Sequence, residues 1–340
     1  MKYSRELPKW FLPVLNGLVI EVFLLICLGG SVRLMNAGLA CPDWPLCFGD
    51  FIPDYHPQVY LEFIHRAMAG IVSITTGVLI VFMFRARNVP LSVKRTALFA
   101  IVLLLTQIVF GGLTVLLALR ANVVAAHLTM GVGFFLLLLW IYLTLKRRAE
   151  AGLLGPAYAH LAVGDALAPA PVKSVTGSGV SSAGESDFGT RAVPLAQVVP
   201  SKIKRWCIFL FCAVYGQLIL GGLVASNYAS LACIDFPKCQ GEWIPTLSGV
   251  VGLHVIHRFG AYTVLALILA NFFSVRRSSE ANARMKKLAG LMLMFVLMQV
   301  CIGIANVLLL APPLIAVAHL GVGTATLSVA LRQLHAAYFG

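Results

Sequence analysis

Four histidines occupy matched places in a chain of 340 residues: His65, His127, His257 and His319. His65 and His257 are 192 residues apart, and so are His127 and His319. Each lies near the start of a long apolar run. An imidazole held in apolar surroundings is costly and tends to be kept for function. Two facing imidazoles can hold a metal. Zinc usually takes a third protein ligand, and no repeated Cys, Asp or Glu accompanies these pairs. Haem iron accepts two axial imidazoles and needs little else from the protein, and helix-bundle interiors are a usual place for it. Small residues that admit a flat macrocycle stand nearby: Gly111, Gly112, Gly131 and Gly133 in one part, Gly221, Gly222, Gly303, Gly321 and Gly323 in the other. Arg66 and Arg258 directly follow a histidine. They read either as partners for acidic haem propionates or as interfacial side chains that snorkel to water. The pattern predicts two haem-type sites with His65, His127, His257 and His319 as axial ligands.

The two copies differ at one position. The first reads EFIHR and the second HVIHR, so Glu62 stands where the other copy has His254. Residues three apart share a helix face, which places Glu62 beside His65. A carboxylate there suits a reaction in which cation develops; the plainer reading is that Glu62 pairs with an interfacial arginine. The asymmetry predicts one reactive site and one that moves electrons. Glu21 is the other acid within an apolar run and has no repeat partner. It reads as part of a proton path or as a buried hydrogen-bonding group. His56, His160 and His335 receive no role.

Two loops match as CPDWPLC and CIDFPKC, placing Cys41 and Cys47 opposite Cys233 and Cys239. Neither loop has a histidine at finger-like spacing, which disfavours zinc. A disulfide within each loop suits an oxidising compartment. It reads either as a structural clip or as an exchangeable pair that receives reducing equivalents. Cys27, Cys207, Cys212 and Cys301 fall inside apolar runs and read as small packing residues.

The elements that position these residues follow from composition. The chain is 59% hydrophobic and 11% charged, with mean hydropathy +0.89. A soluble domain carries roughly 25% charged residues, so an ordinary soluble enzyme is excluded, and so is a disordered chain. Apolar runs at 11–32, 63–84, 96–118, 124–145, 206–226, 253–274, 288–310 and 315–335 read as eight membrane-spanning helices. Their polarity does not alternate as barrel strands would. Of the 26 basic residues, 21 fall on one side; Arg33, Arg66, Arg120, Lys238 and Arg258 fall on the other. That bias places both termini in the cytoplasm, and the cysteine loops and histidines at the outer face. It also accounts for the basic excess without nucleic acid. The predicted fold is all-α, two tandem four-helix bundles related by a pseudo-twofold axis along the membrane normal. Residues 1–149 form the first bundle, 150–203 a flexible cytoplasmic Gly/Ser-rich linker, and 204–340 the second bundle.

The motifs resemble the haem A synthase family. The matching stretches are GGSVRLMNAGLACPDWPLCFG, EFIHR, AAHLTMG, HRFG and AVAHLGVG, and the resemblance covers nearly everything outside the linker. It implies oxidation of a methyl group of haem O to a formyl group, giving haem A for terminal oxidases in a bacterial inner membrane. It implies that His65 and His127 hold substrate haem O, that His257 and His319 hold haem b, that Glu62 is the catalytic acid, and that Cys41–Cys47 is the outer cysteine pair. The implied partners are haem O, the synthase that supplies it, an electron donor and the lipid bilayer. A di-haem cytochrome b that only passes electrons would use the same histidines but leaves Glu62 without a reason. A transporter would fit the repeat, but no Pro-broken helix pair marks a midplane site.

Overall fold

The computed structural model describes residues 6–162 and 199–339. Among them the eight expected helices form: α1 Phe11–Leu34, α2 Pro57–Arg85, α3 Leu91–Leu116, α4 Ala121–Glu150, α5 Ser201–Ser226, α6 Gly249–Arg277, α7 Ala283–Leu308 and α8 Pro313–Phe339. All eight are long and apolar enough to cross a membrane. Their outward faces carry large apolar side chains, such as Ile74 and Phe99, each 71% exposed. In water that surface would be untenable; in lipid it is the expected one. Most of the expected linker lies outside the described residues. Its described ends are more ordered than expected: a 3₁₀ turn spans Pro156–Leu161, and α5 already begins at Ser201.

Several helices start earlier than their apolar runs. α2 begins at Pro57 and α8 at Pro313. Proline is favoured in the first turn, where its missing N–H costs nothing, but such polar or proline-led turns are invisible to hydropathy. His65 and His257 therefore lie eight residues into their helices, and His127 and His319 six. At 1.5 Å per residue this is about 9–12 Å below the helix starts.

Helices α1–α4 contact one another in sequence, with α1 closing on α4; α5–α8 repeat the arrangement, with α5 closing on α8. The halves meet through α1, α4, α5 and α8, and one continuous buried cluster runs through both. Lipid provides no hydrophobic drive between helices, so close packing has to do the work. Glycines supply it reciprocally. A Cβ on Gly30 would stand 2.7 Å from Leu320 of the other half, and one on Gly222 would stand 2.8 Å from Leu128. Tyr215 of α5 donates to the Thr129 carbonyl of α4 at 2.7 Å. The second half is also locked internally where the first is apolar. Buried Asn271 and Gln333 exchange amide hydrogen bonds at 3.2 and 3.0 Å; the corresponding residues in the first half are buried Leu79 and Ile141.

Candidate functional site

The α1–α2 and α5–α6 loops fold alike. Cys41–Cys47 and Cys233–Cys239 are disulfide-bonded, with Cα atoms 4.8 and 4.9 Å apart. Trp44–Pro45 and Phe236–Pro237 are both cis. The shared aspartate of the motif secures the turn after the second cysteine. Asp43 accepts from the N–H groups of Phe48 and Gly49 at 2.7 and 2.8 Å. Asp235 accepts from Gln240 and Gly241 at 2.8 and 2.9 Å. Phe48 and Gln240 sit at φ 57° and 55°, a left-handed conformation that costs a non-glycine residue energy and is offset here by the carboxylate. The Gly49 N–H bond, with help from Phe48 and the charge of Arg66, holds the Asp43 carboxyl below the usual carboxylate range. The aspartate was present in the motif, but sequence reasoning gave it no task.

Each histidine ring rests against a glycine of the preceding helix. A Cβ on Gly29 would stand 2.9 Å from His65 Cε1, one on Gly111 3.3 Å from His127, one on Gly221 3.0 Å from His257 and one on Gly303 2.9 Å from His319. The glycines expected to admit a macrocycle are thus occupied by side chains. Gly112 receives the Trp44 ring, Gly131 and Gly323 receive Gln107 and Gln299, and Gly133 and Gly321 receive Tyr215 and Cys27. The four histidines are half-buried. His65, His127 and His319 bury Nδ1 without a partner, so the accessible edge is the one carrying Nε2. Gln107 Nε2 donates to the His127 carbonyl at 2.8 Å. Gln217 Nε2 donates to the His257 carbonyl at 2.8 Å and lies 3.0 Å from its Nδ1; the first half has Leu25 in that place. Among the described residues no three His, Cys, Asp or Glu side chains gather as a metal cluster. Each half presents two imidazoles whose Nε2 edges remain open, a donor set that fits a six-coordinate haem iron.

The arginines do more than either expectation held. Arg66 donates from Nε to Glu62 at 2.8 Å. It also donates to the carbonyls of Asp43 and Leu46 at 2.7 Å each and of Cys41 at 3.2 Å. Four of its five N–H groups are thus spent on Glu62 and the disulfide loop. Arg258 donates to the Lys238 and Cys233 carbonyls at 2.8 and 2.9 Å, but its buried Nε has no partner. His254, where Glu62 would be, donates from Nδ1 to the Ala229 carbonyl at 2.8 Å instead. Sequence reasoning missed Arg33, used only for topology. It lies one turn beyond Gly29 on the same helix face, with Nε and one terminal nitrogen buried and unpartnered. Its guanidinium covers the Tyr228 ring of the other half at 4.1 Å.

The remaining residues fall outside these sites. Glu21 is half-buried, with no hydrogen bond or ion pair among the described residues. Cys27 and Cys207 pack as expected, whereas Cys212 and Cys301 are exposed on the helix surface. His335 is fully buried, 3.3 Å from Thr144 Oγ1 and edge-on to Trp140, so it is a core residue of the far end.

Residues 14–181 and 188–331 match the family described as cytochrome oxidase assembly protein (COX15-CtaA). The heme A synthase of Shewanella oneidensis is 30% identical over 93% of each chain. The chain belongs to the haem A synthase family. The heme A synthases of Halalkalibacterium halodurans and Symbiobacterium thermophilum are 26% and 27% identical over 77% of this chain and 75% and 74% of theirs. None of these relatives is named as an electron-transfer cytochrome, so the di-haem cytochrome reading finds no support among them. The family and the eight spanning helices make this a multi-pass membrane protein.

Proposed function

We propose that the protein is a haem A synthase that converts a methyl group of haem O to a formyl group. The observation that carries this is an inequality between the two sites: each has two glycine-seated imidazoles, but among the described residues only the first has a buried carboxylate, Glu62. In this reading His65 and His127 hold substrate haem O in the first bundle, 1–149, and His257 and His319 hold haem b in the second, 204–340. The bundles are related by a pseudo-twofold axis along the membrane normal, both termini are cytoplasmic, and residues 150–203 link them. Haem b, when bound, supplies one-electron redox chemistry.

The substrate methyl gives up two electrons and one proton and takes the oxygen of water, whose second proton leaves, to become hydroxymethyl. A second round gives the geminal diol, which loses water to become the formyl group. Glu62 stabilises the benzylic-type cation formed before water adds. Its Oε1 is held by Arg66, while Oε2 has no hydrogen bond among the described residues, which leaves that oxygen for the site. The Arg66 bonds to the disulfide loop keep the carboxylate at a fixed depth. Arg33 and Arg258, which keep buried donors without a partner, are the partners for acidic propionates, whereas Arg66 has one N–H left for that task. On this route the external redox partner accepts electrons; a route through dioxygen would require a donor instead. The upstream partner is the enzyme that supplies haem O.

Pigment extraction from the purified protein tests the reading. Haem O, or its hydroxylated or formylated product, accompanied by haem b is the expected result. Haem b alone, with no conversion of added haem O, would return the protein to the electron-transfer class.

A further inference from the structure

At the end of the bundle opposite the histidines, a cavity of about 280 Å³ opens between α1, α4, α7 and α8. Four cations line it, Lys146, Arg147, Arg284 and Arg332, against a single lining carboxylate, Glu150. Glu150 lies 4.0 Å from Lys146, and a single carboxylate among four cations leaves the wall with a cationic excess. Arg147, Arg284 and Arg332 come from three different helices and line the same concavity. Like charges held round one concavity raise the energy of the empty site and create a strong local field for an anion. Asn16 and Tyr142 add uncharged polar groups to the wall. The haem chemistry proposed above uses none of these residues.

We infer that this cavity binds the phosphate headgroup of an anionic phospholipid. Guanidinium groups match phosphate oxygens with paired, charge-assisted hydrogen bonds. A basic pocket between membrane helices is a recognised form of headgroup site. The source is lipid rather than free phosphate because the walls are the terminal turns of membrane-crossing helices: Tyr142–Glu150 close α4 and Arg284 opens α7. The concavity therefore opens at headgroup depth, where lipid phosphate is far more concentrated than phosphate in solution. Asn16 and Lys146 come from the first half and Arg284 and Arg332 from the second, so a bound headgroup bridges the two.

The test uses the full-length, pigment-bearing protein, delipidated in neutral detergent and followed by native mass spectrometry. Phosphatidylglycerol should be retained and phosphatidylcholine should not. In Arg284→Gln/Arg332→Gln, phosphatidylglycerol affinity should fall roughly 30-fold, the ratio expected for removing two interfacial cations, with pigment content unchanged. Arg276→Gln/Arg277→Gln removes two cations that lie over Phe272 and Phe273 instead and should leave binding intact. If the first double variant fails to fold, Arg284→Gln alone, at an exposed position, should still weaken binding about fivefold. Equal retention of both lipids, or full binding by the Arg284 variants, overturns the proposal. So does millimolar inorganic phosphate that stabilises the protein as well as phosphatidylglycerol does while displacing it completely, since the site would then be one for a soluble anion.

Discussion

Arg66 donates from Nε to Glu62 at 2.8 Å, while the same atom of Arg258, buried in the second half, has no partner. One substitution between the repeats, Glu62 for His254, separates the two cases. In the first half the arginine couples the disulfide loop to a carboxylate beside His65. In the second half the loop contacts persist, but His254 turns to the Ala229 carbonyl. The anion is thus an addition to a common frame, not part of what builds it.

Glu62→Gln retains volume and one acceptor for Arg66 but removes the charge. Conversion of haem O should fall by about 10²-fold or more, the size expected for one electrostatic group at a reacting centre, with pigment content near wild type. Full conversion by the variant would remove Glu62 from the chemistry. Loss of pigment together with poor folding would reduce it to an anchor for Arg66.

The two histidine pairs should be separable. His257→Met or His319→Met should shift or abolish the haem b spectrum, because methionine in place of an axial imidazole raises the potential. The substrate pigment of the first half should change far less. Equal loss of both pigments after either substitution would contradict the assignment of one haem to each half.

Arg33 carries buried donors that no protein group satisfies. Arg33→Gln should weaken haem retention about tenfold or more, the range for a charge-assisted hydrogen bond lost from a buried site, as measured by pigment remaining after exhaustive detergent exchange. Retention at the wild-type level would confine Arg33 to its stacking on Tyr228.

The disulfide loops should loosen in acid. The Asp43 carboxyl is held below its ordinary value of 3.8, first by the Gly49 N–H. A depressed folded-state value means the contribution is complete above pH 3.8 and disappears as pH falls through the lower, folded value. Phosphine reduction of Cys41–Cys47 should therefore accelerate on acidification through that range. Asp43→Asn should abolish the acceleration and reduce faster at neutral pH. A rate with no such step in the wild type would mean the loop does not depend on the carboxylate.

The helix count, the repeat and the within-loop cysteine pairs were legible in the sequence. Each is carried by composition or spacing along one strip of chain: about 20 apolar residues suffice to span lipid, and a constant offset of 192 residues aligns the chemistry of the two halves. The helix starts at Pro57 and Pro313 were not legible, because hydropathy registers only the apolar part of a helix.

What the tertiary structure decided are the meetings between strips. That Gly29, Gly111, Gly221 and Gly303 seat imidazoles, that Arg66 is spent on loop carbonyls while Arg33 is not, and that Arg284 and Arg332 converge on one cavity all depend on which helix faces touch. A glycine or an arginine has the same composition and periodicity whatever stands opposite it. Its role is fixed by the neighbour that removes its space or satisfies its donors, and packing distant segments together supplies that neighbour.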